Sequence, residues 1–521
     1  MTIAQWFLFF LLIQVIHFLG TWKLYQKAGR QAWEAAIPVY NAVVLMKIIN
    51  RPWWFVILLF VPIVNLIMFP VIWVETLRSF GKNTTIDTVL GVLTLGLYIY
   101  YINYTQDVTH IKDRSLKPKS KSGDWVSAIL FAVVVATIVH TYFIQPFTIP
   151  TSSLEKTLLV GDFLFVSKNH YGARTPMTAV SFPMVHDTIP VIKKKSYWNS
   201  PQIPYFRFPA FQKIKNNDIV VFNWPTDTVP YFRYQGSETF IKPIDKKSNY
   251  VKRAVGIPGD SLEVRDGYVY INGKKNQLPD RAKLQFVYQF HTKDPVVNTQ
   301  FFVERYGISE IHSDATSRAF IAHISDESLE KLKNNPNILE IIPLKSEAEK
   351  GDESIFPHHP AYPWNTGFFG PIYIPKAGTT VAITPETIPL YKRIIETYEG
   401  SELGIQNKIT LSGNQVLLNG VSINEYTFLQ DYYWMMGDNR NNSEDARHWG
   451  YVPHNHIVGK PVFIWLSLDA NKSGFSKIRW ERMFTTVGGS GEPVSYFRYF
   501  LIVLAAWFAY DFFRKRKKKA E

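Results

Sequence analysis

Two short stretches, far apart in the chain, supply a hydroxyl and an amine that could work together: Ile149-Pro150-Thr151-Ser152-Ser153-Leu154 and Tyr250-Val251-Lys252-Arg253-Ala254-Val255-Gly256. A serine is a poor nucleophile at neutral pH, and a lysine activates it only when desolvation lowers the amine's pKa towards the working pH. Apolar residues surround Lys252. Strand alternation sets it on the opposite face from Arg253, so the expectation is that Lys252 points inward while Arg253 stays wet. The chemistry of such a pair is lysine-activated hydrolysis. Alone, a Ser-Ser pair is more often a cap or part of a solvated turn, so the lysine stretch carries the argument.

A third stretch strengthens it: Met436-Gly437-Asp438-Asn439-Arg440-Asn441-Asn442-Ser443-Glu444-Asp445-Ala446-Arg447-His448-Trp449-Gly450-Tyr451-Val452-Pro453. This density of Asp, Asn, Arg and Ser beside apolar strands suits a buried polar network. A lysine of lowered pKa needs a group to orient its amine, and Ser443 is a candidate. The competing reading is a surface turn rich in Asx residues and ion pairs.

The elements that position these residues begin with the membrane. The chain has 521 residues and a mean hydropathy close to zero, so its apolar residues must be concentrated. Segments 6–20, 53–73, 89–102, 125–144 and 496–513 are each nearly free of charge and read as five spans, with 89–102 the shortest. Residues 33–49 are apolar but interrupted by Glu34, Pro38 and Asn41, which suits an interfacial segment.

The formal net charge of +14 sits largely beside these segments, at Lys112, Arg114, Lys117, Lys119 and Lys121 and at Arg514, Lys515, Arg516, Lys517, Lys518 and Lys519. That is the positive-inside pattern, and no groove-reading or aromatic-rich motif accompanies it, so nucleic acid is not an expected partner. With both clusters cytoplasmic, residues 145–495 lie outside the cytoplasm. The first apolar segment lacks the basic start of a cleaved secretory signal. The absence of cysteine excludes disulfides, thiolate catalysis and Cys-type zinc sites.

Beyond Gln145 the apolar runs are short, rich in Val, Ile, Phe and Tyr, and punctuated by Gly, Pro and Asn. Strands are expected at 163–166, 219–223, 250–255, 261–264, 268–271 and 462–465, with hairpin turns at Asp266-Gly267, Asn272-Gly273 and Asn419-Gly420. Residues 319–324, 327–334 and 338–343 read as strand, helix, strand, and 385–398 as a helix. The expected fold is mainly β: a β-rich catalytic domain with an inserted α+β lobe, plus transmembrane helices. The expected boundaries are a membrane region at 1–123 with about three spans, an anchor at 124–146, and a catalytic core at 147–273 and 412–487. The separate lobe is expected at 274–411, a linker at 488–495, and a final span with a basic tail at 496–521.

In their order after a span, the three stretches resemble the signature boxes of type I signal peptidases, the bacterial leader peptidases, over 125–166, 218–271 and 417–465. The resemblance implies Ser153 as nucleophile and Lys252 as general base. It implies an oxyanion hole from the Thr151 hydroxyl and the Ser153 backbone N–H. Ser443 matches the residue that orients the lysine, Asp445 and Arg447 match a supporting ion pair, and Asp438 and Arg440 read as structural. Phe147, Ile149, Leu154, Tyr250 and Val251 fall where the family builds pockets for small substrate residues before the cut. The implied activity is removal of signal peptides from exported preproteins, without a cofactor or metal, at the inner membrane with a periplasmic catalytic domain. The implied partners are preproteins and the bilayer, and a link to the secretion machinery is a further expectation.

There are departures from the family pattern. The common Ser-Gly-Ser-Met is Thr151-Ser152-Ser153-Leu154 here, and Lys156 replaces a usual proline. The insert and extra N-terminal segments exceed the common two-span plan and resemble enlarged forms in the Bacteroidota. The rival readings are a membrane-anchored scaffold with the fold but not the chemistry, and a self-cleaving Ser/Lys regulator. His358-His359 and His454-Asn455-His456 lack metalloprotease spacing. A Ser/His/Asp triad stays open, though no Gly-x-Ser-x-Gly elbow surrounds Ser153.

Overall fold

The computed structural model describes residues 1–117, 120–229, 238–314 and 316–520. Lys119 of the expected cytoplasmic cluster lies outside them. The described chain divides into two compact units, one of Met1–Phe143, Arg174–Phe208 and Thr228–Lys246, the other of Ile144–Ala173, Pro209–Asp227 and Lys247–Glu521. Segments 174–208 and 228–246, expected within the catalytic core, therefore belong to the first unit.

In the first unit, Ile3–Lys27 and Lys121–Phe143 are long and apolar enough to cross a membrane. Thr2 and Gln5 form a capping box at the start of the first helix, and its Phe7, Leu8, Leu12 and Val15 are exposed, as a lipid-facing surface requires. The helices Thr85–Leu93 and Tyr98–Thr105 qualify as a third span only together, and they bend by 118°. Gly20 lets the first helix approach Tyr98–Thr105 closely, since a Cβ there would lie 2.5 Å from the Tyr100 ring.

The expected span at 53–73 is instead divided. Helix Phe55–Leu58 ends before Pro62, and Val64–Ser79 starts afresh, because proline has no N–H for the preceding turn and clashes with it. Helix Tyr40–Ile48 is nine residues long, too short to cross. The C-terminal helix Phe497–Ala520 carries Arg498, Asp511 and Arg514 and is less apolar than the two long helices. Of the five expected spans, length and composition thus support two among the described residues, or three with the bent pair.

The second unit is built on an eight-stranded antiparallel sheet. Its order is Ile144–Thr148, Asp162–Ser167, Ile457–Ser467, Ile219–Asn223, Asn249–Gly256, Tyr432–Met436 and Val452–Pro453, with Thr485–Thr486 paired to Ile457–Ser467. Ile219–Asn223 and Tyr432–Met436 are buried along their whole length, as strands covered on both faces must be. A second sheet runs Phe369–Tyr373, Ser261–Arg265, Tyr268–Ile271, Lys274–Lys275. The turns Asp266-Gly267, Asn272-Gly273 and Asn419-Gly420 all have positive φ at both residues, the type I′ geometry that suits the twist of a hairpin.

The expected lobe at 274–411 is smaller than its sequence boundaries. Gln285–Thr292, Ser309–Ser313, Ala319–Ser325 and Ile338–Pro343 form a separate four-stranded sheet. With helices Gln300–Tyr306 and Asp326–Lys333 it encloses its own core of Phe290, Phe302, Phe320, Ile324 and Leu332. Residues 369–409 belong elsewhere. Ile374, Ile388, Tyr391, Ile395 and Tyr398 are buried with Val255, Leu262, Trp434 and Tyr451 in the core of the second sheet. Apolar side chains in that stretch cluster with one another and with residues of the strands beside them, so they complete the larger core.

Candidate active site

Ser153 lies in the loop that joins Ile144–Thr148 to Asp162–Ser167. Inside this loop the Glu155 amide donates to the Ser152 carbonyl at 3.0 Å and the Leu158 amide to Leu154 at 2.8 Å, which winds the chain into tight turns. Leu154 and Leu158 anchor the loop by burial with Ile149, Leu164, Ile219 and Ile464. Thr151 is exposed, whereas Ser152 and Ser153 are buried, Ser153 to 6% exposure.

Lys252 lies mid-strand in Asn249–Gly256, opposite Val220 on one side, while Arg253 pairs with Met436 on the other. The chain leaves the Tyr432–Met436 strand at Gly437, and three segments converge there. A Cβ on Gly437 would sit 2.2 Å from Ser443 Oγ and 2.6 Å from the Ser153 carbonyl oxygen. That carbonyl accepts from the Asn439 amide at 3.2 Å. Gly437 is thus a place where only hydrogen fits, between the Ser153 loop and Ser443.

Lys252 is 3% exposed, and its amine makes no hydrogen bond or ion pair among the described residues, lying 5.9 Å from the Tyr250 ring centroid. Burial pushes its pKa down to about 8, against the opposing pull of Asp445, Glu444 and Asp438 and with help from Arg447. Asp445 does not pair with it because Arg447 takes that carboxylate in a fork, Nε to Oδ1 and Nη2 to Oδ2, both at 2.8 Å. Burial alone would raise the Asp445 pKa. Arg447, Lys252 and the Gly437 amide at 3.1 Å outweigh that and hold it at about 2. The Ser443 hydroxyl is buried without a partner among the described residues, so the hydrogen bond expected to orient Lys252 is not formed in this state. Catalytic hydrogen bonds often tighten only once substrate is bound.

Arg253 corrects an expectation. It is 2% exposed rather than wet, and its guanidinium grips Asp438 through Nε at 2.7 Å and Nη2 at 2.6 Å. Asp438 also accepts from the Thr157 hydroxyl at 2.7 Å, so this pair ties the Ser153 loop to the lysine strand and to the third stretch. Both faces of the strand are covered, and alternation alone could not reveal that. Arg440 is likewise buried, donating to the Gly267 carbonyl at 2.9 Å.

Of the residues expected to line a substrate pocket, Ile149, Leu154 and Val251 meet in one apolar cluster, and Phe147 and Val251 adjoin in another. Tyr250 does not join them. It takes the face that Lys252 shares, with the Lys252 amine 5.9 Å from its ring centroid, and is stacked on Trp224 at 5.1 Å between ring centroids and edge-on to Trp449.

Sequence reasoning missed the contribution of the insert. Glu310 accepts hydrogen bonds from the Ser152 hydroxyl and from Asn442, and His323 Nδ1 lies 2.7 Å from Asn439 Oδ1. The one sequence sign was Ser152 itself, a hydroxyl where the resembled family has glycine.

The family model "Signal peptidase, peptidase S26" matches residues 122–306 and 420–466, and a "Family of unknown function (DUF5684)" matches residues 33–113. Signal peptidase I of Helicobacter pylori strain 26695 is 26% identical over 378 residues, 70% of this chain and 91% of that protein. Signal peptidase I of Buchnera aphidicola from Acyrthosiphon pisum is 25% identical over 350 residues, 66% of this chain and 76% of its own length. That of Haemophilus influenzae is 24% identical over 381 residues, 71% and 78% respectively.

Proposed function

We propose that this chain, a serine endopeptidase of the signal peptidase, peptidase S26, type that removes signal peptides, uses Ser153 as its nucleophile and Lys252 as its general base. The observation that carries the assignment is a buried lysine, without a hydrogen bond or ion pair among the described residues and held at about 8, on the strand beside the junction of Ser153, Gly437 and Ser443. A lysine with that pKa is partly neutral at physiological pH and can accept a proton.

In the proposed reaction, Ser153 Oγ attacks the scissile carbonyl carbon while its proton passes to Lys252 Nζ. The Ser153 N–H and the Thr151 hydroxyl stabilise the oxyanion. Lys252 then protonates the departing amine as the C–N bond breaks, leaving an acyl-enzyme. Water, deprotonated by the regenerated amine, attacks the ester and frees Ser153. Asp445 serves the reaction through Arg447, whose fork keeps the carboxylate from capturing the lysine as a permanent ion pair. Ser443 orients the amine once substrate excludes water.

The substrate segment lies extended, with small side chains entering the apolar surface formed by Phe147, Ile149, Leu154 and Val251. Tyr250 shares the lysine's face of the strand, with the Lys252 amine 5.9 Å from its ring centroid. The proposal extends to orientation at the inner membrane: cytoplasmic Lys112, Arg114 and Lys117 before the span Lys121–Phe143 favour a periplasmic catalytic unit, where preproteins leaving the secretion machinery are met. A multi-pass arrangement follows from the several apolar helices. Depletion of this protein, followed by uncleaved preprotein and rescue with variants, tests the reading: wild type restores cleavage, and Ser153→Ala and Lys252→Ala do not. Rescue by both variants would sink it.

A further inference from the structure

Two peculiarities of this chain meet at one hydrogen bond. The loop carries Ser152 where the resembled family has glycine, and the lobe 285–343 supplies Glu310, whose carboxylate accepts from the Ser152 hydroxyl. The same carboxylate accepts from Asn442 Nδ2, and Asn442 in turn reaches Ser152 Oγ at 3.2 Å. His323 Nε2 stands 3.8 Å from Glu310 while its Nδ1 faces Asn439, whose amide holds the Ser153 carbonyl.

The backbone is shaped for this contact. In the pairing of Ser309–Ser313 with Ala319–Ser325 the register shifts between Ile321 and His323, which leaves an extra residue on the first strand. Glu310 lies there with φ 52°, in the left-handed region that a residue with a side chain rarely adopts. A bulge with such a residue re-aims side chains, and strain of this kind persists only where surrounding contacts hold it. The lobe is further fixed to the third stretch by the Gln285 amide donating to the Asp438 carbonyl at 3.0 Å and the Arg440 amide to Gln285 at 2.9 Å.

We propose that Glu310 is a positioning residue for the Ser153 loop: by gripping Ser152, it fixes the backbone between the two oxyanion-hole donors, Thr151 and Ser153, so the lobe is part of the catalytic apparatus. This rests on the assignment of Ser153 as nucleophile. Ser152 is flanked by both donors, so freedom at its peptide moves the oxyanion site directly, with substrate binding left largely intact. A misplacement of about 1 Å at such a site costs on the order of a hundredfold in rate.

The test uses the full-length protein in detergent with a preprotein substrate, measuring kcat and KM separately. Glu310→Ala is expected to lower kcat by about ten- to a hundredfold with KM nearly unchanged. Ser152→Ala does the same, and the double variant is no worse than the more impaired single one, because both remove one contact. Glu310→Gln, which keeps the length and one acceptor, recovers most of the rate. Wild-type kcat in Glu310→Ala, losses that multiply in the double variant, or a defect confined to KM would overturn the proposal. Ser153→Ala separates the two claims: if it still cleaves, the nucleophile assignment has failed, whereas an inactive Ser153→Ala beside a fully active Glu310→Ala refutes the positioning role alone.

Discussion

The strand Asn249–Gly256 carries two buried cations side by side and treats them in opposite ways. Arg253 has a carboxylate fork from Asp438 and a hydrogen bond to the Asn217 carbonyl at 2.8 Å, so its charge is fully met. Lys252, on the other face, is as deeply buried and has no ion pair among the described residues. Its nearest acidic neighbour in electrostatic terms, Asp445, is occupied by Arg447. Burial is the same on the two faces, and the partner differs. A cation with a dedicated carboxylate is structure, and one denied its carboxylate becomes a proton acceptor near neutral pH.

The largest way to break this contrast is to remove the lysine. Lys252→Met is expected to lower kcat by about ten-thousandfold or more, yet to melt no lower than wild type, because an unpaired buried amine gives way to an apolar chain of similar length. Single-turnover cleavage and thermal unfolding of the same preparation check both halves.

On the opposite face the roles reverse. Asp438→Asn strands the Arg253 charge and is expected to cost about 3–5 kcal/mol of stability, read as a lowered denaturation midpoint. A variant as stable as wild type would remove the distinction between the faces.

Arg447→Ala sharpens the comparison by returning Asp445 to Lys252. Arg447 lowers the lysine's pKa and Asp445 raises it, so the variant's pKa rises. The activity limb then moves to higher pH, and at neutral pH kcat/KM falls about tenfold for each unit moved. Arg447→Lys, which keeps the charge, moves the limb less. The smallest effect belongs to Thr157→Val, which deletes a hydroxyl from the Asp438 network and should cost about 1 kcal/mol in stability with the pH limb unmoved.

The contrast was half legible in the sequence. Ser153, Lys252 and the Asp445–Arg447 pair stand in local strings whose residue types announce their chemistry, and Asp-Gly and Asn-Gly pairs marked three hairpin turns through a rule about φ. Arg253 was misread because alternation tells which face a side chain takes, and not whether that face is covered. Glu310 was invisible. It is 158 positions from Ser152 and is aimed there by a register shift that only strand pairing creates. The division at Pro62 could have been read from its proline, and the burial of Ile388 and Tyr391 could not, since their partners lie in other stretches.

The pH dependence of kcat/KM for the wild-type protein tests the central claim most directly. Lys252 acts as a base only when neutral, so the rate must rise with pH through about 8 and then level, while Asp445, held at about 2, stays ionised throughout. A limb close to 8 that vanishes with the residual activity of Lys252→Met is the predicted result. A flat profile between pH 6 and pH 10, or a limb at the ordinary lysine value of about 10.4, would contradict it.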